Sequence, residues 1–290
     1  MTNMERRLVK HGPSSTIVAL PAAWVKERGL KAGDSIKIQL DGDRLLLAAS
    51  SFSAPEEIEL AVDGLDRTSI MLLIRSAYRQ GYSRIIIRYS GAHAKHHRVQ
   101  RDIPIVAIVH QEVMRLVGVE IIEQGEGKLV IQEITKPVAS ELPVLYRKVF
   151  QMVRQLIAQI GSEQADADIG VEDRHDVITK VISHAIRLIN SGYAELPVTD
   201  RTRMYHTLSL IDIIVDILKY YSRENAEYER VYLQELEKLV LSVEQIVFAH
   251  SYKAMNTFQL TKEQMRVHSV PRLSAIVDIC FDIVLTHAST

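Results

Sequence analysis

The sequence predicts a multidomain α+β protein with a β-rich N-terminal unit, a small central α/β unit and a C-terminal antiparallel helical bundle. Short alternating or β-branched runs fill residues 1–50, a pattern that is typical of strands. Helical and strand patterns alternate over residues 56–136, a common size for a small domain. Over residues 140–290 the pattern is helical with short connections, which favours a bundle. The small polar stretch 50–55 separates the first two units as a hinge.

Turn and capping residues predict the order of elements in the first unit: strand, strand, short helix, strand, strand. A glycine-proline break at residues 12–13 separates the first two strands. Pro21 opens the helix, because proline lacks an N–H that the first helical turn does not need, and Gly29 closes it. The Asp-Gly-Asp turn at residues 41–43 joins the last two strands as a hairpin.

The charge of this first unit is lopsided, although the whole chain has a formal net charge of −1. Up to residue 31 the cations are Arg6, Arg7, Lys10, Lys26, Arg28 and Lys31, and the acids are Glu5 and Glu27. A unit of about fifty residues has too small an interior to be stable alone, so we expect it to form a homodimer. A dimer would double the basic face and present it to nucleic-acid phosphates. The alternative is a solvated β surface that is basic without a polyanionic partner.

Five short motifs in these residues share the spacing of a known DNA-binding domain. They are Gly12-x-x-Ser15, Leu20-Pro21 at the start of the helix, Trp24-Val25-Lys26, Gly29-Leu30-Lys31-x-Gly33-Asp34 and the Asp41-Gly42 turn. The pattern resembles the swapped-hairpin domain of the AbrB/MazE/SpoVT type, which implies an intertwined, dimeric β-barrel that binds double-stranded DNA. On the matching positions, the DNA-binding residues that the resemblance implies are Arg6, Arg7, Lys10, Ser14, Ser15, Lys26 and Arg28.

The central unit is predicted to be a helix, a buried strand, a second helix and two strands. The predicted ranges are 68–80, 84–89, 105–117, 119–123 and 128–135. Between the first strand and the second helix, residues 91–101 are rich in histidine, lysine and arginine. Such a loop could contact an anion, a nucleic acid or a metal ion, although adjacent His96 and His97 do not by themselves converge on a metal. The alternative is a solvated basic loop, and we expect the unit to act as a sensor or a spacer.

The C-terminal half is predicted to be helical throughout. The predicted helices are 142–160, 164–190, 200–221, 226–255 and 261–286. Thr261 and Gln264 fit a capping box at the start of the last helix. Pro271 should kink that helix, or else a new helix starts at Ser269.

Two of these helices carry paired aspartates in otherwise apolar sequence, Asp212 with Asp216 and Asp278 with Asp282. Residues four apart project from one helix face, where like charges repel by roughly a few tenths of a kcal/mol. Burial without a partner would cost on the order of several kcal/mol. A bound cation would remove both penalties, and carboxylates that face one another in a bundle can hold one. The alternative is a thin solvent-exposed stripe on each helix.

The sequence before each pair completes a second resemblance. With Leu208-Ser-Leu-Ile211 before the first pair and Leu273-Ser-Ala-Ile276 before the second, these elements resemble the (E/D)xxxD repeats of PhoU-type phosphate-uptake regulators. The resemblance implies a PhoU-like helical domain that binds a divalent or iron-type metal ion at both aspartate pairs. Over its full length the chain is similar to archaeal-type regulators that join an AbrB-like domain to a PhoU-like one, which implies a phosphate-transport or signalling protein as a further partner.

No catalytic motif supports an enzyme, since the sequence contains neither GxxxxGK(S/T) nor HExxH. No uncharged apolar run reaches membrane-spanning length, so we expect no membrane insertion. Cys280 is the only cysteine, which fits a packing role and a reducing cytoplasm. We therefore expect a cytoplasmic, DNA-binding transcriptional regulator linked to phosphate uptake. Two rival functions stay open: a PhoU-like metal-binding signalling adaptor that contacts proteins without binding DNA, and a hydrolase whose carboxylate-bound ions activate water.

Overall fold

Two units make up the chain in the computed structural model, one of residues 1–52 and one of residues 53–290. The structure describes residues 4–41, 44–49, 56–136, 138–161, 167–191, 196–223, 229–267 and 270–287. The architecture is mixed α+β with small sheets and a helical C-terminal half, which confirms that part of the prediction. Within the described ranges, no helix is both long and apolar enough to cross a membrane.

The N-terminal unit contains two antiparallel hairpins with a short helix between them. The elements are β1 (Val9–His11), β2 (Ser15–Ile17), α1 (Ala22–Glu27), β3 (Lys37–Asp41) and β4 (Arg44–Ala48). This order agrees with the predicted one, and Gly29 follows α1 in the left-handed conformation, at φ +66°. The described strands of this unit form two separate sheets and no closed barrel, so the barrel of two interlocked copies stays a prediction. Residues 42–43 of the predicted turn lie outside the described residues.

The central part of the second unit is a four-stranded sheet covered by helices. Its elements are β5 (Glu57–Ala61), α2 (Arg67–Arg79), β6 (Arg84–Arg88), β7 (His93–His96), β8 (Arg101–Pro104), α3 (Ile105–Val113), β9 (Val119–Gly125) and β10 (Lys128–Glu133). The strand order is β5-β6-β10-β9, with β5 parallel to β6 and the other pairs antiparallel. Strand β5 and the separate hairpin β7–β8 add to the predicted elements, and α3 is shorter than predicted.

The apolar face of α2 packs against this sheet. Ile70 and Ile74 of α2, Ile85 and Ile87 of β6, and Leu129 of β10 are all buried in one core. Burial of these side chains is the main term that stabilises the central part, at roughly 25 cal/mol per Å² of apolar surface removed from water.

The helical half folds around a second core. It begins with a 3-10 turn at Ala139–Glu141 and continues as α4 (Leu142–Ile160), α5 (Ala167–Asn190), α6 (Val198–Ser222), α7 (Arg230–Ala249), α8 (Tyr252–Val267) and α9 (Pro271–His287). The predicted single helix over 226–255 is wrong, because His250 at φ +47° interrupts the chain between α7 and α8. The predicted capping box is also wrong, because Thr261 lies inside α8. Of the two predicted alternatives, the structure has a new helix rather than a kink, because α8 ends at Val267 and Pro271 is the first residue of α9. Ser269, the predicted start of that helix, lies outside the described residues.

Helix α2 packs against α5, and this contact joins the central part to the helical half. Arg187 of α5 is only 1% exposed. Its guanidinium donates hydrogen bonds to the carbonyl oxygens of Tyr78 at 2.7 Å and Tyr82 at 3.0 Å, and pairs with Glu133 at 2.7 Å. His184 lies 3.2 Å from the Tyr78 hydroxyl. A buried arginine with partners on α2, on the turn that follows it and on β10 therefore holds α5 in place.

Candidate functional site

The residues that were predicted to bind DNA lie along the first hairpin and the short helix that follows. All of them are exposed: Arg6 and Arg7 before β1, Lys10 in β1, Ser14 and Ser15 at the turn, Lys26 in α1 and Arg28 after it. The structure therefore places every predicted side chain of this set where a large ligand could reach it.

The turn between β1 and β2 is fixed by local bonds. Gly12 takes a φ of +72°, in the left-handed region that glycine reaches without steric cost. The Ser15 hydroxyl donates a hydrogen bond back to the carbonyl of His11, the residue opposite it in the strand register. Lys10 lies opposite Thr16 in the same antiparallel register, next to the His11 and Ser15 pair. The turn thus holds its serines at the end of a short ribbon that carries Lys10.

The cations of this unit are not neutralised by the carboxylates that the structure describes near them. Arg6 donates a long hydrogen bond of 3.4 Å to the carbonyl of Glu5, which is an uncharged partner. The carboxylate of Asp34 accepts the backbone N–H of Lys31 at 2.7 Å and so closes the turn after α1. Among the side chains that the structure describes in residues 4–40, no ion pair joins a basic side chain to an acidic one. These cations therefore present their full charge to solvent.

Apolar side chains of the same unit are exposed as well. Leu8 is 74% exposed, and Ile38 and Leu40 on one side of β3 are 62% and 76% exposed. Leu45 of β4 is 59% exposed, and no residue of this unit with described burial is buried. One copy of the unit thus leaves its strands without a core, in contrast to the central part.

The aspartate pair of α6 meets cations from two other helices. Asp212 accepts a hydrogen bond of 2.7 Å from the Arg79 guanidinium at the end of α2, and both side chains are 20% exposed. Asp216 lies 2.8 Å from Nε2 of His175 on α5, whose Nδ1 lies 3.1 Å from Asp176. The repulsion expected between two carboxylates on one face is therefore offset by Arg79 and His175.

The pKa values around His175 favour its charged form. Burial lowers the pKa of His175, but its hydrogen bonds to Asp176 and Asp216 outweigh burial, so the pKa lies above its ordinary value. Burial raises the pKa of Asp216 and of Asp176, but the hydrogen bond with His175 and the positive charges around each carboxylate together outweigh burial, so both pKa values are lowered. All three shifts stabilise an imidazolium between two carboxylates.

The charged cluster continues onto α3 of the central part. Glu112 is fully buried and accepts two hydrogen bonds from Arg75 of α2, at 2.7 and 3.1 Å. Burial raises the pKa of Glu112, and the hydrogen bonds from Arg75 limit the increase. Arg115 after α3 donates to Asp176 of α5. Alternating charges thus extend across the contact between the central part and the helical half.

The aspartate pair of α9 lies in a different environment. Asp278 and Asp282 are exposed, and the 73%-exposed side chain of Asp278 approaches Arg266 of α8 at 3.8 Å. This placement fits the solvent-exposed stripe. In the parts of the chain that the structure describes, no group of three or more His, Cys, Asp or Glu side chains could hold a metal ion. Asp212 and Asp216 thus form ion pairs and Asp278 and Asp282 are exposed, and metal binding at the four aspartates stays a prediction.

The sequence reasoning missed Arg187, the most buried cation of the contact. Arg187 follows Ala185 and Ile186 and precedes Leu188 and Ile189, all of them buried. Arg187 is a charged residue within an apolar helical run, as are the aspartates of α6. This pattern indicates a buried ion pair and could have identified Arg187 from the sequence. Nothing in the sequence identifies the partners of Arg187, because Glu133 lies 54 residues away and Tyr78 and Tyr82 lie more than a hundred residues away.

Comparison of the chain with protein-family models, with curated proteins and with solved structures finds no match.

Proposed function

We propose that the protein is a DNA-binding transcriptional regulator that acts as a homodimer, with the N-terminal unit of each copy contacting duplex DNA. The observation that carries the proposal is the exposed set of cations in this unit, which no described carboxylate of the unit neutralises. Exposed, unpaired lysine and arginine side chains can replace the counterions of DNA phosphates, and this replacement supplies most non-specific affinity. Ser14 at the end of the hairpin adds a hydroxyl group that can donate to a phosphate oxygen, whereas the Ser15 hydroxyl donates to the carbonyl of His11.

The homodimer follows from the exposed apolar strands. Ile38, Leu40 and Leu45 need a covering surface, and a fifty-residue unit rarely supplies one from its own chain. A second copy supplies apolar strands of the same kind and doubles the basic face. Pairing of the two copies would remove the exposed apolar area and bring two sets of cations onto one duplex.

The helical half would act in this proposal as a sensor or interaction domain for a phosphate-transport or signalling protein. Support for the link to phosphate uptake comes from the resemblance of the two aspartate elements to PhoU repeats. A metal ion is not required by the proposal, because Asp212 and Asp216 have Arg79 and His175 as counter-charges.

A salt titration of the full chain tests the DNA-binding role. The affinity for a duplex should fall steeply between about 50 and 200 mM salt. Replacing Arg6 and Arg7 together by alanine should weaken binding and flatten the slope of log K against log salt by about 0.9 for each phosphate that is no longer neutralised. The matched control is Lys136→Ala with Lys253→Ala, which removes the same charge from exposed positions elsewhere. The proposal is refuted if the double-arginine variant binds as the control does, or if the parent shows no salt-dependent binding.

The second candidate is a signalling adaptor that contacts proteins without binding DNA. It is favoured by an open apolar cavity of about 910 Å³ in the helical half, lined among others by Leu142, Tyr146, Met204 and Phe248. Such a surface suits a protein segment better than a polyanion. Absence of duplex binding at low salt, together with a dimeric parent in sedimentation analysis, would favour the adaptor.

A further inference from the structure

The hairpin β7–β8 is held firmly at its base. The carboxylate of Asp63, just after β5, accepts hydrogen bonds from the backbone N–H and the hydroxyl of Ser90 at 2.7 and 2.8 Å. Ala94 is buried in the core of the central part, and Ile103 opposite it packs against that core. The direction of the ribbon is therefore set by the rigid sheet rather than by the ribbon alone.

The far end of the same hairpin is ordered by its own bonds. The backbone N–H of Val99 donates to the carbonyl of His96 at 3.2 Å, and the Gln100 side chain donates to the carbonyl of His97 at 2.6 Å. Gln100 takes a φ of +50°, which closes the turn onto β8. The turn is exposed on all of its residues, so a defined backbone presents its side chains to solvent.

Those side chains are strongly basic. Lys95, Arg98 and Arg101 are exposed, and the only carboxylate of residues 93–104 is Asp102. Lys95 and Asp102 lie 3.9 Å apart with both side chains more than half exposed, a pair that contributes about 0–1 kcal/mol and releases its lysine at little cost. In the described structure, neither Arg98 nor Arg101 forms an ion pair. The hairpin therefore concentrates available positive charge on a short, pre-ordered ribbon.

We propose that the hairpin His93–Pro104 is a second DNA-contacting element, whose Lys95, Arg98 and Arg101 bind phosphates of the duplex backbone. The inference rests on the proposed DNA-binding function and extends it to a surface outside the N-terminal unit. A two-stranded ribbon is narrow enough to lie along the major groove of B-DNA, where both flanking phosphate rows are within reach of long side chains. Guanidinium groups suit this role because their forked donors match phosphate oxygens. These contacts carry no base specificity, so they add affinity on any sequence.

The test uses the full chain with Lys95→Gln, Arg98→Gln and Arg101→Gln combined. Binding to duplex DNA is measured by fluorescence anisotropy. Because the variant neutralises three fewer phosphates, its fall in affinity between 50 and 200 mM salt should be about 40-fold smaller than that of the parent. The control combines Lys136→Gln, Lys148→Gln and Lys253→Gln, which removes the same charge from exposed positions. Arg98→Gln alone, at the tip of the turn, should change the fall by about 3-fold.

The variants separate this inference from the function on which it rests. A triple hairpin variant with the salt slope of the control overturns the inference, while weakened binding of the Arg6 and Arg7 variant would leave the proposed function standing. A parent without salt-dependent duplex binding would overturn both. The single Arg98→Gln variant covers the case of a triple variant that misfolds, since an unchanged slope for it also overturns the inference.

Discussion

Replacing Arg187 by methionine should destabilise the unit of residues 53–290 by about 3–5 kcal/mol, the usual cost of removing one partner of a buried ion pair. The substitution leaves Glu133, whose side chain is 10% exposed, without its counter-charge. It also leaves the carbonyl oxygens of Tyr78 and Tyr82 without the donors that lie 2.7 and 3.0 Å away. Methionine keeps most of the apolar volume of arginine, so the loss measures the polar contacts rather than a cavity.

The expected change in unfolding temperature follows from the size of the unit. For 150–250 residues, 1 kcal/mol shifts the midpoint by about 2–4 °C, so the variant should unfold roughly 6–20 °C below the parent. Far-ultraviolet circular dichroism reports chiefly the helices of this unit, and the only tryptophan, Trp24, reports the N-terminal unit by fluorescence. The dichroism transition should move while the fluorescence transition stays.

Arg84→Met is the matched control, because Arg84 pairs with Glu57 at 3.0 Å on the surface, with side chains 33% and 53% exposed. Exposed pairs contribute about 0–1 kcal/mol, so the control should unfold within a few degrees of the parent. Combining Arg187→Met with Glu133→Leu should recover part of the loss, since no buried carboxylate is then left unpaired. If Arg187→Met costs no more than the control, the buried arginine does not hold α5 to the central part and the reasoning fails.

Two further predictions concern the charged cluster of α6. The ion pairs of His175 with Asp176 and Asp216 should stabilise the fold fully below the ordinary histidine pKa of about 6.5, and this stabilisation should be lost as the pH rises through the higher pKa of the folded state. Denaturant unfolding of the parent and of His175→Gln at pH 5.5 and 8.5 should therefore show the larger difference at pH 5.5; equal differences at both values would contradict the assignment. Because Arg79 already neutralises Asp212, Asp212→Asn should leave the metal content of the purified protein unchanged in elemental analysis, and a stoichiometric metal that this substitution removes would refute the ion-pair explanation.

Local signals predicted the N-terminal unit well because its elements begin and end at residues with restricted backbones. Pro21 precedes α1 and Gly29 follows it at φ +66°, as the sequence indicated. The same reasoning failed at His250, where the left-handed residue between α7 and α8 is not a glycine and no local signal marks it. Helix α4 matched its predicted range, from Leu142 to Ile160, because its apolar periodicity continues to both ends.

The candidate site was predictable only in part, for a physical reason. The spacing of Asp212 and Asp216 placed both carboxylates on one helix face and left open whether a cation or solvent relieves their repulsion. Arg79 is 133 residues distant in sequence from Asp212, and His175 comes from another helix, so their identity depends on how α2, α5 and α6 pack. Sequence periodicity gives the face of a helix but not the element opposite to it. The sequence alone therefore does not distinguish a metal ion from an arginine as the cation that neutralises the aspartates.

The charged contacts between the central part and the helical half differ in how much they can contribute. Asp216 is 60% exposed in its pair with His175, and solvent screens such a pair strongly. The pair of Arg79 and Asp212 is better shielded, at 20% exposure for both, yet either group can regain water if the other is removed. The Arg187 guanidinium cannot be hydrated unless α5 unpacks. Its contacts therefore contribute most to the stability of the contact between the central part and the helical half. Loss of the aspartate contacts of α6 should therefore weaken the packing between the central part and the helical half less than loss of the Arg187 contacts.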